Sequence, residues 1–206
     1  TSLLTGPYAG TNFAEAFRQA RELKPGDSTA VVDYAPYLPS YNAPAAFAAS
    51  PVYEGDTLTG VLIFQMPLDR ITELMSERSG LGNTGETYLV GPDHLMRSDS
   101  FLDPENHSVA ASFADPAKGK VETEAADAAL SGKTGSDVII DYNGNPVLSA
   151  YAPIKLGGLS WAILAEIDVA EALETVETVA DFSDEPWVAK RDVAVLTLLY
   201  GCGLRI

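Results

Sequence analysis

Apolar residues recur at helical spacing from Asn12 to Leu23, where Phe13, Ala16, Phe17, Ala20 and Leu23 share a face before Pro25-Gly26 stops the run. A short amphipathic helix is expected there. Three strand-like runs follow, Thr29–Tyr34, Ala45–Tyr53 and Leu58–Met66, separated by a Pro/Tyr/Ser/Asn-rich loop and by Glu54-Gly55-Asp56. They read as an antiparallel meander. From Pro67 to Ser79 the helical period returns through Leu68, Ile71, Leu74 and Met75, with Asp69 in the first turn and Gly80 past the end.

The second half repeats this order. Glu86–Val90 and Leu95–Ser98 predict a tight strand pair around Gly91-Pro92-Asp93, and Ala110–Leu130 predicts helix broken near Pro116 and Gly119. Asp137–Tyr142 and Val147–Pro153 flank Asn143-Gly144, a strong short hairpin signal. Leu159–Ile167 supplies a third strand and Val169–Val179 an amphipathic helix. Each half is thus a three-strand meander leading into a helix, so the chain is expected to be α+β and to hold two copies of one unit, the first lacking its opening elements. From Asp181 the texture changes, with a helix start at Phe182–Pro186 and a mixed apolar run to Leu204.

Composition narrows the function classes. The 206 residues can bury a core of their own, and 13 Lys+Arg against 29 Asp+Glu leave a net charge of −16, which argues against a nucleic-acid footprint. Cys202 is the single cysteine and cannot form an internal disulfide; His94 and His107 are too few for most histidine-based metal sites. No charged segment followed by an apolar run opens the chain, so no signal peptide is expected within it. Its longest apolar tract, Val193–Leu204, has about a dozen residues, short of the roughly 20 that span a bilayer, and a soluble chain is expected.

Two motifs dissolve on inspection. Gly80-Leu-Gly-Asn-Thr-Gly85 has the spacing of a dinucleotide loop, but it follows a helix and opens a strand, the reverse of what pyrophosphate binding needs. Asp141-Tyr-Asn-Gly-Asn145 begins like a calcium loop, yet Pro146 and Ala152 stand where the loop needs Gly and Glu. With no nucleophile elbow, zinc-helix or phosphate-loop motif, neither an enzyme nor a cofactor is expected.

Polar residues on or beside the strands of the second unit are more informative: Tyr88, Arg97, Ser98, Asp99, Asp141, Tyr142 and Tyr151. Alternation turns about half of such a set to one face. An arginine fork suits a carboxylate, an aspartate suits an ammonium, and tyrosine hydroxyls orient either, so the set would suit an amino acid or small organic acid. The plainer alternative is that Arg97 and Asp99 are edge residues and the tyrosines half-buried packing. In the first unit Asp33, Tyr34 and Tyr37 sit in an aromatic, loop-like stretch suited to a pocket lid.

The strings Val61–Ile71, Gly85–Asp93, Leu95–Ser100, Asp141–Gly144, Val147–Pro153 and Trp161–Asp168 together resemble the double Cache sensor domains of bacterial chemoreceptors, sensor kinases and membrane cyclases. The resemblance covers residues 28–178. It implies PAS-like antiparallel sheets with flanking helices: a partial membrane-distal module over 1–66 and a complete membrane-proximal module over 67–180. It also implies a small polar ligand, a homodimer in the full receptor, a periplasmic location and membrane attachment through segments absent from this chain. Carried over, Tyr88, Arg97, Ser98 and Asp141 would line the proximal cup. The tail 181–206 resembles the start of a tyrosine recombinase catalytic domain, with Arg205 in Gly-Leu-Arg-Ile, although Val193–Leu204 also reads as the start of a membrane helix. The rest of a recombinase site is missing, so a ligand-independent dimerisation module is the nearer alternative to a sensor.

Overall fold

The computed structural model describes residues 2–174 apart from Ser28. The tail 181–206, and the expected Val169–Val179 helix beyond residue 174, lie outside the described residues. The elements run α1 (Asn12–Glu22), β1 (Ala30–Pro36), β2 (Pro44–Glu54), β3 (Thr57–Gln65), α2 (Leu68–Met75), β4 (Glu86–Val90), α3 (Val109–Ala114), α4 (Pro116–Gly119), α5 (Glu124–Leu130), β5 (Gly135–Ile140), β6 (Pro146–Leu156) and β7 (Leu159–Asp168). Residues 169–174 are helical. Two antiparallel sheets result, β1-β2-β3 and β4-β7-β6-β5, so the α+β expectation and both meanders hold.

Helix α1 begins where the Thr11 side chain accepts the Ala14 amide, and its small-residue face of Ala16 and Ala20 allows close approach to the first sheet. There it meets Ala30, Ala45, Phe47 and Ala49. The second sheet buries Tyr88, Val90, Met96, Trp161 and Leu164 under the alanine-rich α5. Tyr34 and Ala46 from the first sheet join that second core, so the two sheets share packing.

Three expectations change in detail. Leu95–Ser98 is not a strand but a pair of isolated bridges, because its first amides go to side chains: the Leu95 amide donates to Asp93 Oδ1 and the Met96 amide to Ser112 Oγ. Helix α2 stops at Met75, where the Ser76 hydroxyl turns back to the Thr72 carbonyl, rather than running to Ser79. Strand β5 ends at Ile140, since Asp141 Oδ1 accepts the Asn143 and Asn145 amides and closes a five-residue turn around Gly144 (φ 87°). That turn carries Tyr142 off the sheet and towards its interior.

The Gly80–Gly85 segment is a helix-to-strand connection, as its context predicts. The Arg78 guanidinium donates to the carbonyls of Gly82, Asn83 and Gly85. On its other side, the amides of Asn83 and Thr84 donate to the Glu171 carboxylate at 2.7 Å each.

Candidate functional site

Among the described residues, two polar constellations lie inside the protein. The first joins the sheets. A bulge in β1 between Val32 and Ala35 breaks the alternation, so the adjacent residues Asp33 and Tyr34 both reach the second unit. Arg97 Nε and Nη2 donate to the two Asp33 oxygens at 2.8 and 2.9 Å, and Nη2 also meets Asp93 at 2.9 Å. Arg97 Nη1 donates to the Leu95 carbonyl, and the Trp161 indole N–H completes Asp33 at 3.1 Å. Burial works against the guanidinium charge, but the two carboxylates override it and hold the group more firmly protonated than free arginine. A Cβ at Gly91 would sit 2.1 Å from Arg97 Cζ, which is why a glycine turns the chain there. Tyr34 stacks on Trp161 with centroids 6.1 Å apart, and burial together with the neighbouring Asp33 charge pushes its hydroxyl up to about 12.

The second constellation is a cup on the inner face of the second sheet. Glu86, Glu166 and Ser149 are successive register partners across β4, β7 and β6, so all three side chains stand in one row on one face. Tyr88, two residues along β4, donates to Glu166 Oε2 at 2.8 Å, and Ser149 donates to Glu166 Oε1 at 2.8 Å. Glu86 accepts the Tyr142 hydroxyl, the Ser100 hydroxyl at 2.9 Å and the Phe101 and Leu102 amides. The Tyr88 and Tyr142 rings meet edge to face, and His107 lies against Tyr142 with ring centroids 4.1 Å apart. Both carboxylates are almost fully buried. Among the described residues no Lys or Arg forms an ion pair with either. Burial, aided by the Asp141 and Glu86 charges, pushes Glu166 up to about 7 despite its two hydroxyl donors. The same burial raises the Tyr88 and Tyr142 hydroxyls far beyond ordinary tyrosine.

The expected site residues therefore divide. Tyr88 belongs to the cup, and Asp141 sits at its edge, shaping the turn that presents Tyr142. Arg97, Asp33 and Tyr34 form the junction, where the Arg97 hydrogens already have partners within the protein. Ser98 accepts the Leu89 amide, and Asp99 accepts the Val109 amide at the start of α3. Tyr37 packs between Phe13 and Phe47 in the first core. Tyr151 reaches Asp137 on the exposed side, its hydroxyl lying over Gly135. The cup residues absent from the sequence reading are Glu86, Ser100, His107, Ser149 and Glu166. A usable signal existed: Ala162, Leu164 and Glu166 alternate on a core-facing side, so Glu166 is a charge at an inward strand position. Among the described residues no cluster of three or more His, Cys, Asp or Glu is arranged to hold a metal ion.

Residues 8–176 match the Cache domain family. The fold is similar to the periplasmic sensory domain of the Campylobacter jejuni chemoreceptor Tlp1, with a TM-score of 0.55 and 17% identity over 79% of this chain and 56% of that one. It is also similar to the ligand-binding domain of the Pseudomonas aeruginosa PAO1 amino acid chemoreceptor PctB in complex with L-Arg, with a TM-score of 0.51 and 20% identity over 82% of this chain and 61% of that one. The chain thus spans less than two thirds of either domain. A 36-residue stretch is 64% identical to tyrosine recombinase XerC of Rhizobium meliloti, covering 18% of this chain and 11% of the recombinase. No described helix is long and apolar enough to cross a membrane.

Proposed function

Because this chain belongs to the Cache domain family, we propose that it is the ligand-sensing portion of a bacterial transmembrane receptor of the chemotaxis, kinase or cyclase type, held on the periplasmic side of the inner membrane. Residues 1–66 act as an incomplete membrane-distal module and 67–180 as the membrane-proximal module that takes a small polar ligand. The receptor works as a homodimer, and the chain itself does no chemistry.

The observation that carries this reading is the cup. A group of buried carboxylates and hydroxyls costs folding free energy that an apolar core would not, and such groups are retained where they have a use. The middle strand of its row of side chains is β7, which runs directly into the helical residues 169–174. A ligand that favours one spacing of β4, β7 and β6 therefore biases the position of that helix. Glu171, bound to the Asn83 and Thr84 amides, ties the helix to the connection that precedes β4.

A thermal-shift screen against amino acids, amines and small carboxylates, followed by calorimetry, tests the reading. A ligand at 100 times its dissociation constant adds about 2.7 kcal/mol to stability. The expected result is a hit weakened by Tyr142→Phe or Ser149→Ala; a chain that no compound stabilises is instead a ligand-independent dimer strut.

A further inference from the structure

The outer strands of a sheet show N–H and C=O groups that another chain can join, and proteins usually blunt them. Here the sheet edges are β1, β3, β4 and β5, and all but β3 are blunted. Strand β1 carries Asp33, a bulge after Val32 and Pro36 at its end. Strand β4 is covered, since the Arg97 amide donates to the Leu89 carbonyl and the Leu89 amide to Ser98 Oγ. Strand β5 is short and holds Asp137. From Thr57 to Gln65, by contrast, β3 has no charged residue and no proline, and its one irregularity against β2 lies back at the hairpin, between Val52 and Tyr53.

The register identifies the unpaired groups. The Met66 amide donates to the Ala46 carbonyl, so the pairs in phase with it, Ala48 with Phe64 and Ser50 with Leu62, turn their N–H and C=O groups towards each other. On β3 the intervening residues Val61, Ile63 and Gln65 turn theirs away from β2, off the open edge. Among the described residues no backbone group meets them there. Val61 and Ile63 pack into the first core, so Leu62 and Phe64 stand on the opposite face, 51% and 63% exposed. The second sheet shows what such an edge accepts. Its meander β5-β6-β7 corresponds to β1-β2-β3, and the outer side of β7 is closed by an antiparallel strand, β4.

We propose that the open edge of β3 is a docking surface for a second copy of this chain, whose own β3 pairs with it antiparallel about a two-fold axis at Ile63. Ile63 then faces the partner's Ile63, and Val61 faces the partner's Gln65, so that each unpaired donor meets an unpaired acceptor. Leu62 lies across from the partner's Phe64 in a closely spaced pair, which covers the exposed apolar face. Charge favours this joint over others. With a net charge of −16, two copies repel over most of their surface and meet at least cost along a strand that bears no charge. Helix α1 lies mainly over β1 and β2, and the two three-stranded sheets run on as one. The proposal gives a surface to the homodimer of the sensing reading and needs neither the cup nor a ligand.

The test is sedimentation equilibrium of the full chain over a concentration series, with hydrogen exchange read at the same concentrations. The mass should move from one chain to two as concentration rises, and the Val61, Ile63 and Gln65 amides should exchange faster on dilution. Gln65→Pro removes an outward N–H and no bond within the chain, and should weaken association about tenfold or more. In a Cys202→Ser background, a mixture of Leu62→Cys and Phe64→Cys chains should form on oxidation a disulfide-linked pair that neither forms alone; should Gln65→Pro fail to fold, this crosslink decides. A chain that stays monomeric at every concentration overturns the proposal, and slow exchange of the three amides in that monomer would show the edge closed by its own chain. A dimer indifferent to Gln65→Pro and to the cysteine pair also overturns it, while leaving the homodimer of the sensing reading standing on another surface.

Discussion

The two sheets are built from the same meander but filled with opposite materials. Behind β1-β2-β3 the buried set is Ala16, Ala20, Ala30, Ala45, Phe47 and Ala49, small apolar groups that let α1 lie close. Behind β4-β7-β6-β5 the buried set includes Glu86, Arg97, His107, Ser149 and Glu166. The first sheet also leaves Val52, Leu62 and Phe64 about half exposed or more on β2 and β3. An apolar filling gives cohesion and nothing to recognise; the polar filling of the second sheet costs stability and provides donors, acceptors and charge. The contrast supports the proposal that the second unit recognises the ligand and that the first is a platform joined to it through Asp33 and Arg97.

Arg97→Ala should have the largest effect, because it leaves the Asp33 carboxylate without its guanidinium partner and severs the tie between units. A loss of about 3–5 kcal/mol is expected in chemical denaturation. A change of Trp161 fluorescence at an earlier denaturant concentration than the main transition would show that the sheets had parted. Phe47→Ala should cost about 3 kcal/mol by leaving a cavity under α1. If the units are as distinct as their fillings, this variant keeps ligand binding in calorimetry; its loss would merge the two units into one.

The overall architecture was legible in the sequence because it rests on period. Alternation marked β2, β3, β6 and β7, the 3.6-residue repeat marked α1 and α2, and Pro116 and Gly119 broke the helical region where the structure breaks it. The site was only partly legible. Arg97 and Asp33 lie 64 residues apart, and no local pattern shows that a bulge turns Asp33 onto the guanidinium. The sequence pattern carries the strand on to Tyr142, whereas the Asp141 side chain ends that strand and makes a turn of it. Glu86 and Glu166 were hidden among 29 acidic residues, because acidic side chains are usually solvated and only the register shows these two facing each other.

A third test separates the fillings by pH. Glu166 has a folded pKa of about 7 against an ordinary value of 4.5, so the folded chain binds more protons than the unfolded one between these values. Its contribution is therefore fully present below about pH 4.5 and is lost as pH rises through about 7, on the order of 3 kcal/mol. Glu166→Gln should flatten that part of the stability profile, measured by urea denaturation from pH 5 to 8. Glu171→Gln should cost less, by weakening two amide bonds, and should speed hydrogen exchange at Asn83 and Thr84. Leu62→Lys on the exposed face of the first sheet should change the stability of the single chain by no more than about 0.5 kcal/mol.

The most direct test of recognition in the second unit is an amide chemical-shift titration of the labelled chain with the tightest compound from the screen. The account predicts that the largest changes fall at residues 86–88, 100–107, 142–149 and 164–166, around the cup. Changes concentrated at residues 30–50, with the second sheet unmoved, would contradict it and place the ligand on the first sheet.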